Sequence, residues 1–338
     1  MADEHLTLDD VEKLATDALT GAGARPEAAA SVARSTVKAE RDGIRSHGLL
    51  YVPIYAEHVV CGKVDGRAEP VVSRQRAGAV TVDARSGFAH PAIDAGWQAL
   101  LDAARENGIA AMTVFNSYNC GVLGHHAERI AEDGLIGLCF THAPASIAPA
   151  GGKTPVIGTN PFAVGVPDTE GGAAIVIDQS ASVVAKSEIM LRARTGEAIE
   201  AGWALDAGGN VTTDPAEALK GSMAPAGGYK GFGVGLMVEL LAACLSGAVL
   251  SKDASPFSGT KGGPPNTGQC FIAIEPAGFS PAFSERVGAL SAAITAQEGT
   301  RLPGGRRQAN RARIVEEGVT ADTELLNRIR GFCRPNYN

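Results

Sequence analysis

The sequence predicts a mixed α/β enzyme fold: a helical N-terminal part, a central region of strands and helices, and a C-terminal part that returns to the first. Three observations carry this expectation. Apolar residues recur at helical spacing near the start, and from about Ala77 the texture changes to short apolar runs of strand length. Forty-two glycines against 5% aromatic residues put sharp bends between those runs, where a backbone must turn or approach a ligand closely. A chain of 338 residues with 45% hydrophobic content can bury a core large enough for two or three lobes. The expected divisions are 1–75, 76–250 and 251–338.

Thr7, with Asp10 three residues on, forms a capping-box opening, and Leu8, Val11, Leu14, Ala15 and Ala18 follow at helical spacing until Gly21 and Gly23. A second helix is expected from Pro26, a good first-turn residue, toward Glu40. Ser46 to Cys61 reads as a helix interrupted by Pro53. Expected strands are Ala79–Val82, Ala110–Phe115, Leu135–Phe140, Ala163–Val166, Ala174–Ile177 and Gln269–Ile274. Helices are expected over Pro91–Glu106, Val122–Glu132, Val183–Arg194, Gly231–Leu250, Ala282–Glu298 and Asp322–Phe332. The Gly/Pro-rich stretch Ser251–Gly268 is too long for a plain connector and reads as a functional loop or lid.

Composition excludes several classes. A formal charge of -7 argues against a nucleic-acid binder, which needs clustered Lys and Arg to neutralise phosphates. No run of eighteen or more apolar residues appears, so no membrane span is expected. The opening MADEHLTLDD lacks the basic and apolar regions of a signal peptide, and six scattered cysteines without a CxxC pair suit a reducing, cytoplasmic setting. No HExxH or zinc-like His/Cys spacing is present, so no metal is expected. A Gly-x-Ser-x-Gly elbow is missing, which weakens a serine-hydrolase reading.

Four clusters invite chemistry, each with a plainer reading beside it. In RDGIRSHG (41–48), His47 beside Ser46 suits proton exchange near neutrality, or Ser46 simply caps a helix with His47 in its first turn. NSYNCGVLG (116–124) follows an apolar run, so its backbone N–H groups can face a cofactor pyrophosphate or belong to an ordinary strand-turn-helix. His125 and His126 come next, but neighbours on a helix point apart and make no joint chelate. GGYKGFGVG (227–235) has neither GK[ST] nor GxGxxG; Lys230 suits a phosphate or carboxamide, while Gly233 and Gly235 suit close helix packing. Asp178 at a strand end can bind a ribose hydroxyl, yet read alone it and Glu188 are better taken as solvated surface acids.

Taken in order, ERDGIRSHG (40–48), NSYNCGVLG (116–124), APAGGKTPVIGTNPFAVGVP (148–167), DQSAS (178–182) and GGYKGFGVGLMVELL (227–241) resemble the type 2 malate/L-lactate dehydrogenase family. That family includes sulfolactate, ureidoglycolate and cyclic-imine-carboxylate enzymes. The resemblance spans nearly the whole chain and implies a non-Rossmann fold, with a predominantly antiparallel cofactor-binding sheet between helical parts, in a homodimer. It implies NAD or NADP as cofactor and His47 as proton donor to a carbonyl or imine, with Ser46 and Glu188 orienting it. It further implies that Asn119, Cys120, Gly121, Val122, Leu123, Asp178, Gln179, Ser180, Lys230, Gly304, Gly305, Arg306 and Arg307 line the cofactor, and that Thr159 touches substrate.

Two departures stand out. Tyr51 stands where several relatives carry an arginine that can grip a substrate carboxylate, which leaves Arg41, Arg45 or Lys186 for that role. Asn119 stands where some relatives carry a competing histidine base, which favours His47. The stretches SYNCGVLGHH, THAPASIAP and DQSAS look most like the sulfolactate-dehydrogenase branch and point to a small 2-hydroxy acid. Reduction of a cyclic imine carboxylate is the alternative, suggested by Glu188, and a silent NAD(P)-binding relative is the alternative of another class. Arg306 and Arg307 suit a 2′-phosphate or are ordinary surface charges.

Overall fold

A computed structural model describes residues 3–334. The chain opens with strand β1 (Asp3–Leu6) and helices α1 (Leu8–Gly21) and α2 (Pro26–Arg41). Thr7 caps α1 reciprocally: its hydroxyl accepts from the Asp10 N–H at 3.1 Å, and the Asp10 carboxylate accepts from the Thr7 N–H at 2.9 Å. Two single 3₁₀ turns, Arg45–His47 and Leu49–Tyr51, then lead into α3 (Val52–Val60). Pro53 stands in the first turn of α3, where its missing N–H is harmless, so it begins that helix and does not interrupt one running from Ser46.

The central sheet draws on β2 (Val71–Arg76), β3 (Ala79–Asp83), β4 (Ile109–Ser117), β5 (Ile136–Thr141), β6 (Phe162–Pro167) and β7 (Ala173–Gln179), with α4 (Ala89–Asn107) and α5 (Leu123–Glu132) between strands. Helix α6 (Lys186–Thr195) follows. A small three-stranded sheet of β8 (Ala204–Leu205), β9 (Val211–Thr212) and β10 (Ser222–Met223) comes next, with α7 (Pro215–Lys220) between the last two. Then come α8 (Tyr229–Glu239), β11 (Thr267–Ile274), α9 (Phe283–Thr295), α10 (Gly305–Glu317), β12 (Val319–Asp322) and α11 (Thr323–Phe332).

Among the described residues the large sheet runs β2-β3-β4-β11-β5-β6-β7. Only β3 and β4 pair in parallel, joined by α4 as the crossover such a pair requires; the other neighbours are antiparallel. The molecule is a mixed α/β fold around a mostly antiparallel sheet. Side chains alternate across it as a strand period of two demands. Val80, Val82, Met112, Val114, Cys139, Ala163 and Phe271 meet α4 and α5 on one face. Phe140 and Cys270 meet Val238 and Ala242 on the other. Helix α5 lies very close to its face, since a Cβ on Gly165 would come within 2.0 Å of the Ala127 carbonyl oxygen.

The expected boundaries need correction. Strand β11, assigned to the part 251–338, is the middle strand of the large sheet. At its end that part lies against the N-terminal helices: β12 pairs with β1, and the buried residues of α11 share one core with α1, α2 and α3. The helix expected over Gly231–Leu250 is shorter. After Glu239 it widens into a π turn, Leu240–Cys244, and the chain turns away at Gly247 with φ of 77°. The stretch expected as a functional loop or lid is tied to α3 and the turn beyond it: Lys63 Nζ donates to the Pro256 carbonyl at 2.7 Å and His58 Nε2 lies 3.0 Å from the Gly259 carbonyl oxygen.

Asp42, just beyond α2, ties three elements together with a side chain wholly removed from solvent. Its Oδ1 accepts from Arg41 Nε at 2.9 Å and Arg311 Nε at 3.0 Å; its Oδ2 accepts from Arg311 Nη2 at 2.8 Å and pairs with His125 Nε2 at 3.1 Å. Arg311, on α10, also donates to Glu128 on α5 at 3.0 Å. Burial alone would raise the Asp42 pKa, but the hydrogen bonds from His125, Arg311 and Arg41 hold it well below the usual carboxylate range. The carboxylate therefore contributes stability that is full above its unfolded value near 3.8 and is lost as pH falls toward the folded value. Asp42→Asn is expected to lower the unfolding free energy by about 3–5 kcal/mol, because breaking a buried charge cluster strands its partners. Urea unfolding at neutral pH checks this, and the deficit should shrink below pH ~4, where the Asp42 carboxylate of the unfolded chain takes up its proton while the folded one still holds its charge.

Candidate functional site

The Asp42 cluster fixes where the next residues go. Beyond Gly43, with φ of 75°, the 3₁₀ turn Arg45–His47 lies beside α5 and faces the end of β7. A cavity of about 380 Å³ opens there. Ser46, His47, Tyr51 and Ile44 form one wall. Gly121, Val122 and Leu123, on the loop into α5, form the second, and Asp178, Gln179 and Ser180, at the end of β7, the third. Thr159, Lys186 and Arg307 complete it.

His47 is half-buried, and its Nδ1 lies 3.0 Å from Ser46 Oγ. Its ring is nearly parallel to that of Tyr51, with centroids 6.2 Å apart. Burial pulls its pKa below the ordinary 6.5; Asp178 opposes this, while His125 and Arg307 add to it. The imidazole is therefore mainly neutral at pH 7. Tyr51 rests edge-on against Tyr55, whose ring meets Phe88 and Tyr118 in turn, giving the wall a rigid aromatic backing. Burial pushes the Tyr51 hydroxyl up to about 12, so it stays protonated and can only hydrogen-bond.

Asp178 sits at the N-terminus of α5. Its Oδ2 accepts from the Gly124 N–H at 3.0 Å and from Arg307 Nη2 at 2.6 Å, so a carboxylate meets both a helix N-terminus and a guanidinium. This contact requires glycine at 124, because a Cβ there would lie 2.3 Å from Arg307 Nη1 and 2.7 Å from Asp178 Oδ2. Both bonds use one carboxylate oxygen, so neither donor occupies Oδ1, and the residue borders the cavity. Opposite, Thr159 is held by its neighbour: buried Asn160, at φ of 39°, donates to Glu239 Oε2 at 2.8 Å and to the Gly235 carbonyl at 3.0 Å.

Several residues expected at this site lie elsewhere. Glu188 does not reach His47; its Oε1 accepts from Arg192 Nε at 3.1 Å, one turn along the same helix. Arg41 is committed to Asp42 and Arg45 to the Thr320 carbonyl, so of the three candidate carboxylate anchors only Lys186 borders the cavity. Lys230 and Arg306 are exposed and do not border it. The Cys120 side chain is buried in the core beneath α5, with its thiol pushed up to about 12. Asn119 supports the loop from behind, its Oδ1 accepting from the Gly121 N–H at 2.7 Å. Gly304 and Gly305 do not border the cavity either, but Gly304, at φ of 95°, lies against Val176 of β7 and thereby starts α10 where Arg307 can reach Asp178.

Asp42 and Ile44 were missed as positions of consequence, although both stand in the 41–48 motif. Five residues before a histidine is no recognisable spacing, and only the fold brings Asp42 against Arg311. Among the described residues no group of three or more His, Cys, Asp or Glu is arranged to hold a metal ion. No helix among them is long and apolar enough to cross a membrane.

Comparison with known proteins gives this geometry its context. The sequence profile described as malate/L-lactate dehydrogenase matches residues 6–330. A (2R)-3-sulfolactate dehydrogenase (NADP(+)) of Chromohalobacter salexigens is 44% identical over 329 residues, covering 97% of this chain and 98% of the relative. A Delta(1)-pyrroline-2-carboxylate reductase of Ancylobacter novellus is 40% identical, covering 95% of each. The crystal structure of a delta1-piperideine-2-carboxylate reductase from Pseudomonas syringae superposes with a TM-score of 0.92 at 34% identity, covering 97% of this chain and 99% of that one. With its five motifs in order and a match along nearly its whole length, the chain belongs to the malate/L-lactate dehydrogenase family.

Proposed function

We propose that this protein is an NAD(P)-dependent oxidoreductase that interconverts a small 2-hydroxy acid and its 2-oxo acid, with His47 exchanging the proton. The observation that carries this reading is a single cavity that joins the Ser46–His47 pair and Lys186 to the Gly121–Leu123 loop and Asp178. The residues fit a dinucleotide on one further point: Asp178 keeps Oδ1 free of its two donors, as a ribose hydroxyl acceptor needs. Gly121 to Leu123, Gln179, Ser180 and Arg307 would hold the cofactor, without a GxGxxG turn. When bound, the nicotinamide supplies or accepts the hydride.

The chain's own residues manage the proton and the carboxylate. A neutral His47 ring that keeps its proton on Nδ1, donating to Ser46 Oγ, leaves Nε2 free to accept; the charged ring carries a proton on each nitrogen. For reduction, the charged ring gives its Nε2 proton to the substrate oxygen; for oxidation, the neutral ring takes it back. Lys186 and Thr159 orient the carboxylate, with Lys186 standing in for the arginine that Tyr51 replaces. A second reading, reduction of a cyclic imine carboxylate, is supported by relatives such as the Ancylobacter novellus reductase. Glu188 lends that reading no support, since its carboxylate accepts from Arg192.

The expected homodimer has its best support at α8, whose residues Tyr229, Leu236 and Met237, with Leu240 just beyond, are exposed apolar side chains on one helical face. Lys230 lies on this helix, which would place it at the interface. Light scattering should give twice the chain mass, and Leu236→Glu should reduce it to one.

His47→Ala is expected to cut turnover by about 10² or more with cofactor affinity nearly intact, and a loss below about tenfold rules out its proton role. Because its pKa is lowered, oxidation should be flat at neutral and alkaline pH and fall on an acid limb below 6.5, which a kcat/KM profile reads. Lys186→Met should raise KM by about tenfold or more, the value of a lost charged hydrogen bond, and change kcat less. Assays of sulfopyruvate, oxaloacetate, pyruvate, 2-oxoglutarate and pyrroline-2-carboxylate with NADH and NADPH decide between the readings. Turnover confined to the imine selects the second, and binding of either cofactor with no turnover at all selects a silent binding protein.

A further inference from the structure

A second cavity, of about 460 Å³, lies behind the 119–125 loop, between α2, α4 and α5. Arg34 and Lys38 face it from α2, and Arg129 from α5, against one acid, Asp94 of α4. Asp94 is already spoken for, since it accepts from Ser31 Oγ at 2.7 Å, Arg34 Nη2 at 3.4 Å and Arg129 Nη1 at 2.6 Å. Arg129 is also fixed, its guanidinium 3.9 Å above the Trp97 ring centre. Lys38 makes no ion pair among the described residues; Glu132 and Glu128 act on it only from farther away.

Two histidines in the wall are buried with open hydrogen-bonding positions. His90, 4% exposed, has no partner of full hydrogen-bond geometry, its one backbone neighbour being the Cys120 carbonyl that His126 also meets, and His125, 6% exposed, has none on Nδ1. His90 Nε2 and Ser35 Oγ both look onto the Cα of Gly121, where a Cβ would meet them at 3.0 and 2.8 Å. Buried polar groups left open in this way cost about 1–3 kcal/mol each unless something satisfies them. His90, His125 and His126 do not converge as a metal site. His126 is used, with Nε2 2.9 Å from the Cys120 carbonyl oxygen.

We propose that this cavity is a binding site for a small phosphate-class oxyanion. Lys38, Arg34 and the Ser35 hydroxyl from α2 and the His90 ring from α4 line one cavity, a set of cationic and neutral donors that suits an anion with several acceptors. Gly121 separates the site from the cavity that holds His47, so the phosphate comes from one of two sources: a free phosphate or phosphomonoester, or the 2′-phosphate of a dinucleotide entering from the other side.

Calorimetric titration with inorganic phosphate, in a buffer free of other oxyanions, tests this. The expected result is saturable binding at one site per chain, weakened at least tenfold by Lys38→Met, as loss of one charged hydrogen bond implies. Ser35→Ala, a milder change, should weaken it severalfold, and His47→Ala should leave it within about twofold, given that typical scale. Thermal unfolding of each variant separates lost binding from lost fold. If saturating NADPH leaves phosphate affinity unchanged, the occupant is a free phosphate compound. If NADPH but not NADH abolishes phosphate binding, and Lys38→Met weakens NADPH, the occupant is the dinucleotide's own phosphate. Phosphate binding that survives both Lys38→Met and Ser35→Ala overturns the proposal. So does the absence of saturable binding together with unchanged NADPH affinity in Lys38→Met.

Discussion

Asp42 holds its charge without contact with solvent, and the arrangement of the functional region follows from how that charge is neutralised. Arg311 reaches it from α10, His125 from α5 and Arg41 from its own helix, while the Asn310 side chain donates to its carbonyl at 3.2 Å. A buried carboxylate tolerates no loosening of such partners, because each one lost leaves an uncompensated charge in a medium of low dielectric. The end of α2, the start of α5 and the middle of α10 are thereby held in one geometry. His47, five residues on, inherits its position from that constraint.

A second carboxylate, Asp178, is managed differently, and the contrast is informative. Asp42 is fully saturated by donors and serves structure. Asp178 keeps one oxygen open, lies at the cavity edge, and uses its other oxygen to join β7, α5 and Arg307. The same chemical group is thus an anchor in one place and an available acceptor in the other, and what separates the two is the number of donors that the fold delivers. Arg311 and Arg307 are four residues apart on α10, so one helical face serves both carboxylates.

Glycine allows the close approaches that this arrangement needs. Gly124 lets the α5 N-terminus touch Asp178 and Arg307, and Gly165 lets the body of the same helix lie against β6. Gly121 stands between the two cavities with space for no side chain on the side of Ser35 and His90.

The sequence by itself determined much of the framework. Six strands and most helices were legible because their apolar periods are strong, and the Thr7 capping box and the Pro26 start were local chemistry complete within a few residues. The ordered motifs marked Ser46, His47, Thr159 and the 119–123 and 178–180 segments, which line or back one cavity apart from the buried Cys120 side chain. Only tertiary structure decided the rest. Strand β11 reads locally like any apolar strand, and its place at the centre of the sheet depends on pairing with β4 and β5, more than 120 residues away in each case. Glu188 looked available in sequence, and one turn of its own helix gave it to Arg192. Arg41 was expected at a substrate carboxylate and Asp42 was not marked at all; Arg311, some 270 residues later, makes both part of one buried cluster. Periodicity and caps are short-range and leave a trace in sequence, whereas the partner of a charge is chosen by whatever the fold brings within 3 Å.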